Sequence, residues 1–136
     1  MKKLLCLLLV MASLLSLCAC GLTEDKIKER LKELEDDKEI TYEVASKSDM
    51  KSFADGVEDE MKEKLDGDIK KGYAVTSESS YEHAFVVIFE KLSDAKLAVE
   101  ALKESLEEEE EELIVHRDGR IVIYGDEDLV DLILEK

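Results

Sequence analysis

The stretch from Tyr81 to Phe89 constrains the fold more than any other part of this 136-residue chain. Tyr81, His83, Phe85, Val87 and Phe89 form one alternating set and Ala84, Val86 and Ile88 the other, so an extended segment here is apolar on both faces. Such a strand belongs inside a sheet that is covered on both sides. The rest of the chain must then supply flanking strands and helices for two faces.

Segments suited to that task follow one another along the sequence. Thr23 can cap a helix running to about Lys38, with Ile27, Leu31 and Leu34 on one stripe. Ile40, Tyr42 and Val44 alternate with Glu39, Thr41 and Glu43, the period of a strand with one buried face. Ser46 or Ser48 caps a second helix that carries Met50, Phe53, Ala54, Val57 and Met61 at helical spacing and ends at Asp66-Gly67. A strand from about Ile69 to Thr76 comes next, and its Lys70 and Lys71 are the kind of residue that guards an exposed sheet edge.

Beyond Phe89, Ser93 caps a third helix, with Leu92 and Leu97 as a hydrophobic staple and Ala95, Ala98, Val99, Leu102 and Leu106 facing inward. Leu113 to Arg117 and Arg120 to Tyr124 flank Asp118-Gly119, a strong hairpin signal. Gly125 breaks the strand, and Asp126 caps a short helix lined by Leu129, Val130, Ile133 and Leu134.

This succession predicts an α+β fold: a ferredoxin-like βαββαβ core with an added N-terminal helix and a C-terminal strand plus helix. In that split arrangement the third strand is interior and the second lies at an edge, in keeping with the doubly apolar run and the two lysines. Two helices cover one face, and the first or last helix covers the other. Phe53 and Phe85 are read as core residues, each costing about 3 to 5 kcal/mol on truncation to alanine.

Lys2 and Lys3, the apolar stretch Leu4 to Leu17 and the small residues after it are ordered as in a secretory signal. The stretch is shorter than the roughly 20 apolar residues that cross a bilayer. Leu17-Cys18-Ala19-Cys20 resembles the lipobox of bacterial lipoproteins. The resemblance implies that residues 1–19 are a signal peptide and that Cys20 is diacylated. Residues 20–136 are then a single extracytoplasmic domain held at the outer face of a cell membrane by that lipid. Neither proline nor a Gly/Ser-rich linker divides them. The ending Val115-His116-Arg117-Asp118-Gly119-Arg120-Ile121-Val122-Ile123-Tyr124-Gly125, with its short helix, is similar to that of many small Gram-positive lipoproteins of unknown function. That likeness implies a cell-surface location and supplies no activity.

Loss of Lys2 and Lys3 with the signal takes the formal net charge from −16 to −18. Such a surface repels nucleic acid and anionic head groups, and solubility is its simplest explanation. Cys6 and Cys18 leave with the signal and Cys20 carries lipid, so the mature domain has no thiol for a disulfide, a metal or catalysis.

The motifs of serine hydrolases, zinc proteases, phosphate loops and dinucleotide folds do not occur, and neither an enzyme nor a cofactor is expected. His83 and His116 read most simply as core histidines. The alternative is a small envelope hydrolase or metal-dependent enzyme in which one of them works with a carboxylate. Arg117, Arg120 and Tyr124 project together from one hairpin face as a basic and aromatic cluster, a composition common in binding hot spots; pairing of the arginines with nearby glutamates is the simpler account. Glu107 to Glu112 does not converge as a calcium site must, and it reads as a solvated helix end. The expectation is a non-enzymatic surface module that contacts the membrane through Cys20 and binds a protein, peptide or envelope component.

Overall fold

The structure, a computed structural model, describes residues 22–37, 39–109 and 112–134. Residues 1–19, read above as a signal peptide, Cys20, Lys38 and two of the six consecutive glutamates lie outside them. The elements are α1 (Glu24–Asp37), β1 (Ile40–Val44), α2 (Lys47–Met61), β2 (Ile69–Ser77), β3 (His83–Phe89), α3 (Leu92–Glu109), β4 (Ile114–Asp118), β5 (Ile121–Gly125) and α4 (Glu127–Leu134). The chain is α+β, with the βαββαβ succession of a ferredoxin-like core, a helix before it and a strand and helix after it. Among the described residues, no helix is long and apolar enough to cross a membrane.

All five strands form one antiparallel sheet in the order β1-β2-β3-β5-β4. β3 is interior, as its two apolar faces require. β2 is also interior, where the split arrangement puts it at an edge, because β1 pairs with it directly. Burial explains the difference. In β1 only Ile40 is buried, while Thr41, Glu43 and Val44 are exposed, so β1 suits an edge and could not sit between two strands under a helix layer. β2 buries Gly72, Tyr73, Val75 and Ser77 and tolerates neighbours on both sides. β1 pairs with Tyr73 to Ser77 and Ala45 N just past it donates to the Gly72 carbonyl at 2.8 Å, so Ile69 to Lys71 overhangs, and a register shift falls between Ile69 and Lys71. The lysines thus guard this overhang rather than a whole edge strand. Both reach Glu24 at the start of α1, Lys70 at 3.5 Å and Lys71 at 3.9 Å.

The side-chain alternation sorts the core into two layers. On one face α1 and α4 pack Ile27, Leu31, Leu34, Leu129, Val130 and Ile133 over Tyr73, Val75, Ala84, Val86, Ile88, Ile121 and Ile123. The two helices are tied by Arg30, whose Nε donates to the Leu132 carbonyl at 2.9 Å near the end of α4. On the other face α2 and α3 cover Val87, Phe89 and Val122 with Val57, Ala95, Ala98 and Ala101. Both added helices therefore lie on the face that the core pair leaves open.

Local chemistry fixes the element ends. Thr23 Oγ1 accepts from Lys26 N at 3.2 Å, capping α1. Of the two candidates Ser46 caps α2, in a capping box with Asp49. That helix stops at Met61, earlier than expected, because Lys62 turns left-handed at φ 55°. Ser93 does not cap α3: it lies inside the helix, and its hydroxyl donates to Asp66 Oδ2 at 3.1 Å. The neighbouring Asp94 is buried and accepts from the backbone N–H groups of Asp66 and Gly67, each at 2.8 Å, which clamps the α2–β2 loop onto α3.

The β4–β5 turn is Gly119-Arg120 rather than Asp118-Gly119, since Asp118 pairs with Ile121. Gly119, with φ 59°, is the turn residue with positive φ, and glycine at the first central position with an ordinary second residue is the type II′ pattern. At the far end of β5, Gly125 has φ 145°, and a Cβ there would overlap the His83 carbonyl.

Candidate functional site

The helices α2 and α3 do not cover their whole face of the sheet. Residues that point to this side form two groups. Gly72, Val87, Phe89 and Val122 are buried, whereas Thr41, Glu43, His83 and Phe85 are exposed and Ala74 and Thr76 are half-buried. The register places Glu43 beside Ala74 and Ala74 beside Phe85, so the uncovered part is continuous across β1, β2 and β3.

Aromatic rings mark its border. Phe85 and Tyr124 are cross-strand partners whose rings stack at 5.2 Å and 26°. Phe53, on α2, stacks on Tyr124 from the helix side at 5.8 Å and 21°, and it meets buried Phe89 at 6.4 Å. The three rings form a strip that begins in the core and ends at Phe85, which is 39% exposed. Phe85 was expected in the core; it is half open because α2 and α3 end their cover at Tyr124. A groove of about 290 Å³ runs along this strip, lined by Met50, Phe53, Ala74, Phe85 and Tyr124, with Glu43 and Asp49 at its rim. Its surroundings are apolar enough that burial pushes the Tyr124 phenol up to about 12.

The three residues expected to act together on the hairpin are separated. Arg117 and Tyr124 share a face, but Arg117 pairs with Val122 near the turn and Tyr124 with Val115, two strand positions away, or roughly 7 Å. Arg120 leaves the face altogether, because it is a turn residue. Arg117 Nη1 donates to the Gly119 carbonyl at 2.9 Å and Arg120 Nη1 to the Glu90 carbonyl at 3.3 Å, so Arg117 folds over the turn, Arg120 reaches the chain just past β3, and neither of these bonds is to a glutamate carboxylate. Tyr124 instead belongs to the aromatic strip.

The histidines also lie apart. His116 is half-buried opposite Ile123, on the α1/α4 side as its spacing implied. His83 is exposed at the start of β3, not a core residue, because the strand begins there beyond the helix layer; its Nδ1 lies 3.4 Å from Thr76 Oγ1. A shallow depression joins it to Glu112 and Asp126. The Asp126 carboxylate accepts from the His83 backbone N–H at 2.7 Å, and Asp126 N donates to the His83 carbonyl at 2.9 Å. Asp126 thus locks the β3 start to the β5 end. Among the described residues no group of three or more His, Cys, Asp or Glu is placed to hold a metal ion.

Sequence reasoning missed the groove, since Phe53 and Phe85 were both assigned to an interior. The signal was present in Glu39, Thr41 and Glu43: a first strand polar on one side has no helix above it there. No family model matches the chain, and no curated protein and no solved structure matches it either.

Proposed function

We propose that this protein is a lipid-anchored, extracytoplasmic binding module that works without catalysis and takes its partner in the groove along Phe53, Tyr124 and Phe85. The single observation behind the reading is that strip of stacked rings left open at Phe85 on a bare stretch of sheet. Exposing an aromatic edge next to Ala74 and Met50 forgoes burial that a longer α2 would provide, which fits a surface kept for contact. The acidic rim gives the partner its chemistry: an apolar or aromatic group flanked by cations, as in a basic peptide segment. The anchor is Cys20, on the strength of the lipobox.

Two measurements test the two parts. Mass spectrometry of the N-terminal peptide, with detergent partitioning of wild type and Cys20→Ala, reads the anchor. Equal membrane retention of both forms without cleavage would replace the lipid by an uncleaved helix. For the groove, resonances of Phe53, Ala74, Phe85 and Tyr124 in the Cys20→Ala protein should shift on titration with a Lys-Phe-Lys peptide, less with Asp-Phe-Asp, and not in Phe85→Ser. A titration that leaves these four residues unmoved would remove the groove from the reading.

A further inference from the structure

The start of the described chain is fastened to one end of the sheet. Leu22 packs against the α1/α4 core, and its backbone N–H donates to the Asp118 carboxylate at 3.1 Å, across 96 residues of sequence. Asp118 borders the β4–β5 turn. Only Cys20 and Gly21 separate a lipid on Cys20 from this point, a reach of roughly 7 Å even when fully extended. Wherever the lipid enters a bilayer, the turn must therefore be close to its surface.

The charges of the domain are distributed along the same axis. At the turn end Arg117 and Arg120, Lys70 and Lys71 at the start of β2, and Lys91 just past β3 are interspersed with Glu24, Asp66, Asp68, Glu90, Asp94 and Asp118. At the opposite end, Glu39, Glu78, Glu82, Glu112, Asp126, Glu127 and Asp128 border the strand ends, and the described residues of these loops include no lysine or arginine. The axis between the two ends is the length of β2, nine residues or roughly 30 Å. The potential of an anionic leaflet decays within about 8 Å at physiological salt. With the turn end down, the acidic end is beyond that field; inverted, its seven carboxylates would lie inside it.

From these two observations we infer that the β4–β5 turn end is a membrane-facing surface, with Arg117 and Arg120 seated on anionic phospholipid head groups and the acidic end held outward. The inference rests on the reading of Cys20 as the lipid anchor. The bare corner of the sheet at Thr76 and His83 belongs to the outward half, while the groove extends from Phe85 down β2 to Gly72.

The mature chain has no thiol besides Cys20, so single cysteines can be labelled cleanly. The lipidated full-length mature protein is reconstituted in phosphatidylcholine vesicles with and without phosphatidylglycerol and labelled with a fluorophore at Glu90→Cys or Ser79→Cys. Quenching by a nitroxide-bearing lipid should be several-fold stronger at position 90 than at position 79, and phosphatidylglycerol should widen the difference. Arg117→Gln with Arg120→Gln should abolish the phosphatidylglycerol effect while the protein stays on the vesicles. Equal quenching at both positions, stronger quenching at 79, or an unchanged phosphatidylglycerol effect in the double variant would overturn the proposal. Protein that carries no lipid by mass and fails to float with vesicles would instead overturn the anchor reading on which it stands.

Discussion

The two faces of the sheet solve the same burial problem with different materials. Toward α1 and α4, fourteen of the described residues, mostly Ile, Leu and Val, are buried in one layer. Toward α2 and α3, seven are buried, three of them alanines of α3, and aromatic rings bridge what they leave. Branched aliphatic side chains fill space from fixed rotamers and exclude water over the whole face. Small residues let a helix approach closely over a limited area and leave the remainder to Phe53, Tyr124 and Phe85. One face is built for stability, and the other combines stability with an opening.

The largest test of this contrast is Leu31→Ala. Leu31 is fully buried beneath α1, and its truncation should cost about 3 kcal/mol in denaturant-determined stability. A loss below about 1 kcal/mol would mean that the aliphatic face is not the main source of stability.

Second in size is a pH effect on the other face. Burial holds the Tyr124 phenol neutral up to about 12, whereas the unfolded chain ionises near 10.0. Its contribution is thus fully present below pH 10 and is lost as pH rises toward 12, by about 2 to 3 kcal/mol. Stability curves of wild type and Tyr124→Phe should diverge only above pH 10. Parallel curves would show that water reaches the ring freely and that the groove is more open than its geometry implies.

Phe85→Ala sharpens the contrast by its smallness. The exposed ring should cost about 1 kcal/mol, against several for a buried aromatic. A loss as large as that of Leu31→Ala would restore Phe85 to the core and close the groove.

The smallest effect has the opposite sign. Tyr73 lies in the aliphatic layer with its hydroxyl buried and without a hydrogen-bond partner among the described residues. Tyr73→Phe removes that unsatisfied group and should raise stability by up to about 1 kcal/mol. A destabilised Tyr73→Phe protein would reveal a partner for the hydroxyl and an unrecognised polar contact inside the better-packed face.

Periodicity along the sequence records which side chains can be buried, and it placed Ile27, Leu31 and Leu34 on the buried side of α1 and Ala84, Val86 and Ile88 on a buried face of β3. It does not record which strand lies beside which. The ferredoxin-like succession therefore emerged correctly while the position of β2 within the sheet did not. Yet Thr41 and Glu43 opposite Ile40 and Tyr42 already describe a strand with one wet side, and Gly72-Tyr73-Ala74-Val75 a strand without one. The groove was hidden for a related reason: whether Phe85 is buried depends on where α2 stops crossing the sheet, a tertiary fact that no local pattern carries. The hairpin cluster failed at a single residue, because moving the turn to Gly119-Arg120 takes Arg120 out of the ladder.

The overhang of β2 beyond β1 has a consequence for crowding. If the protein stands on a membrane as proposed, molecules of one orientation meet side by side, and the sheet presents edge strands at β1 and β4 for strand-to-strand pairing. Three residues of backbone, Ile69 to Lys71, project past the rim of β1, interrupted by a register shift and carrying Lys70 and Lys71. An incoming strand would meet a kinked template, two cations and, on β1 itself, the exposed Glu43. Irregularity and charge at this rim discourage strand-to-strand polymerisation, so neighbours can stand close together and still remain separate.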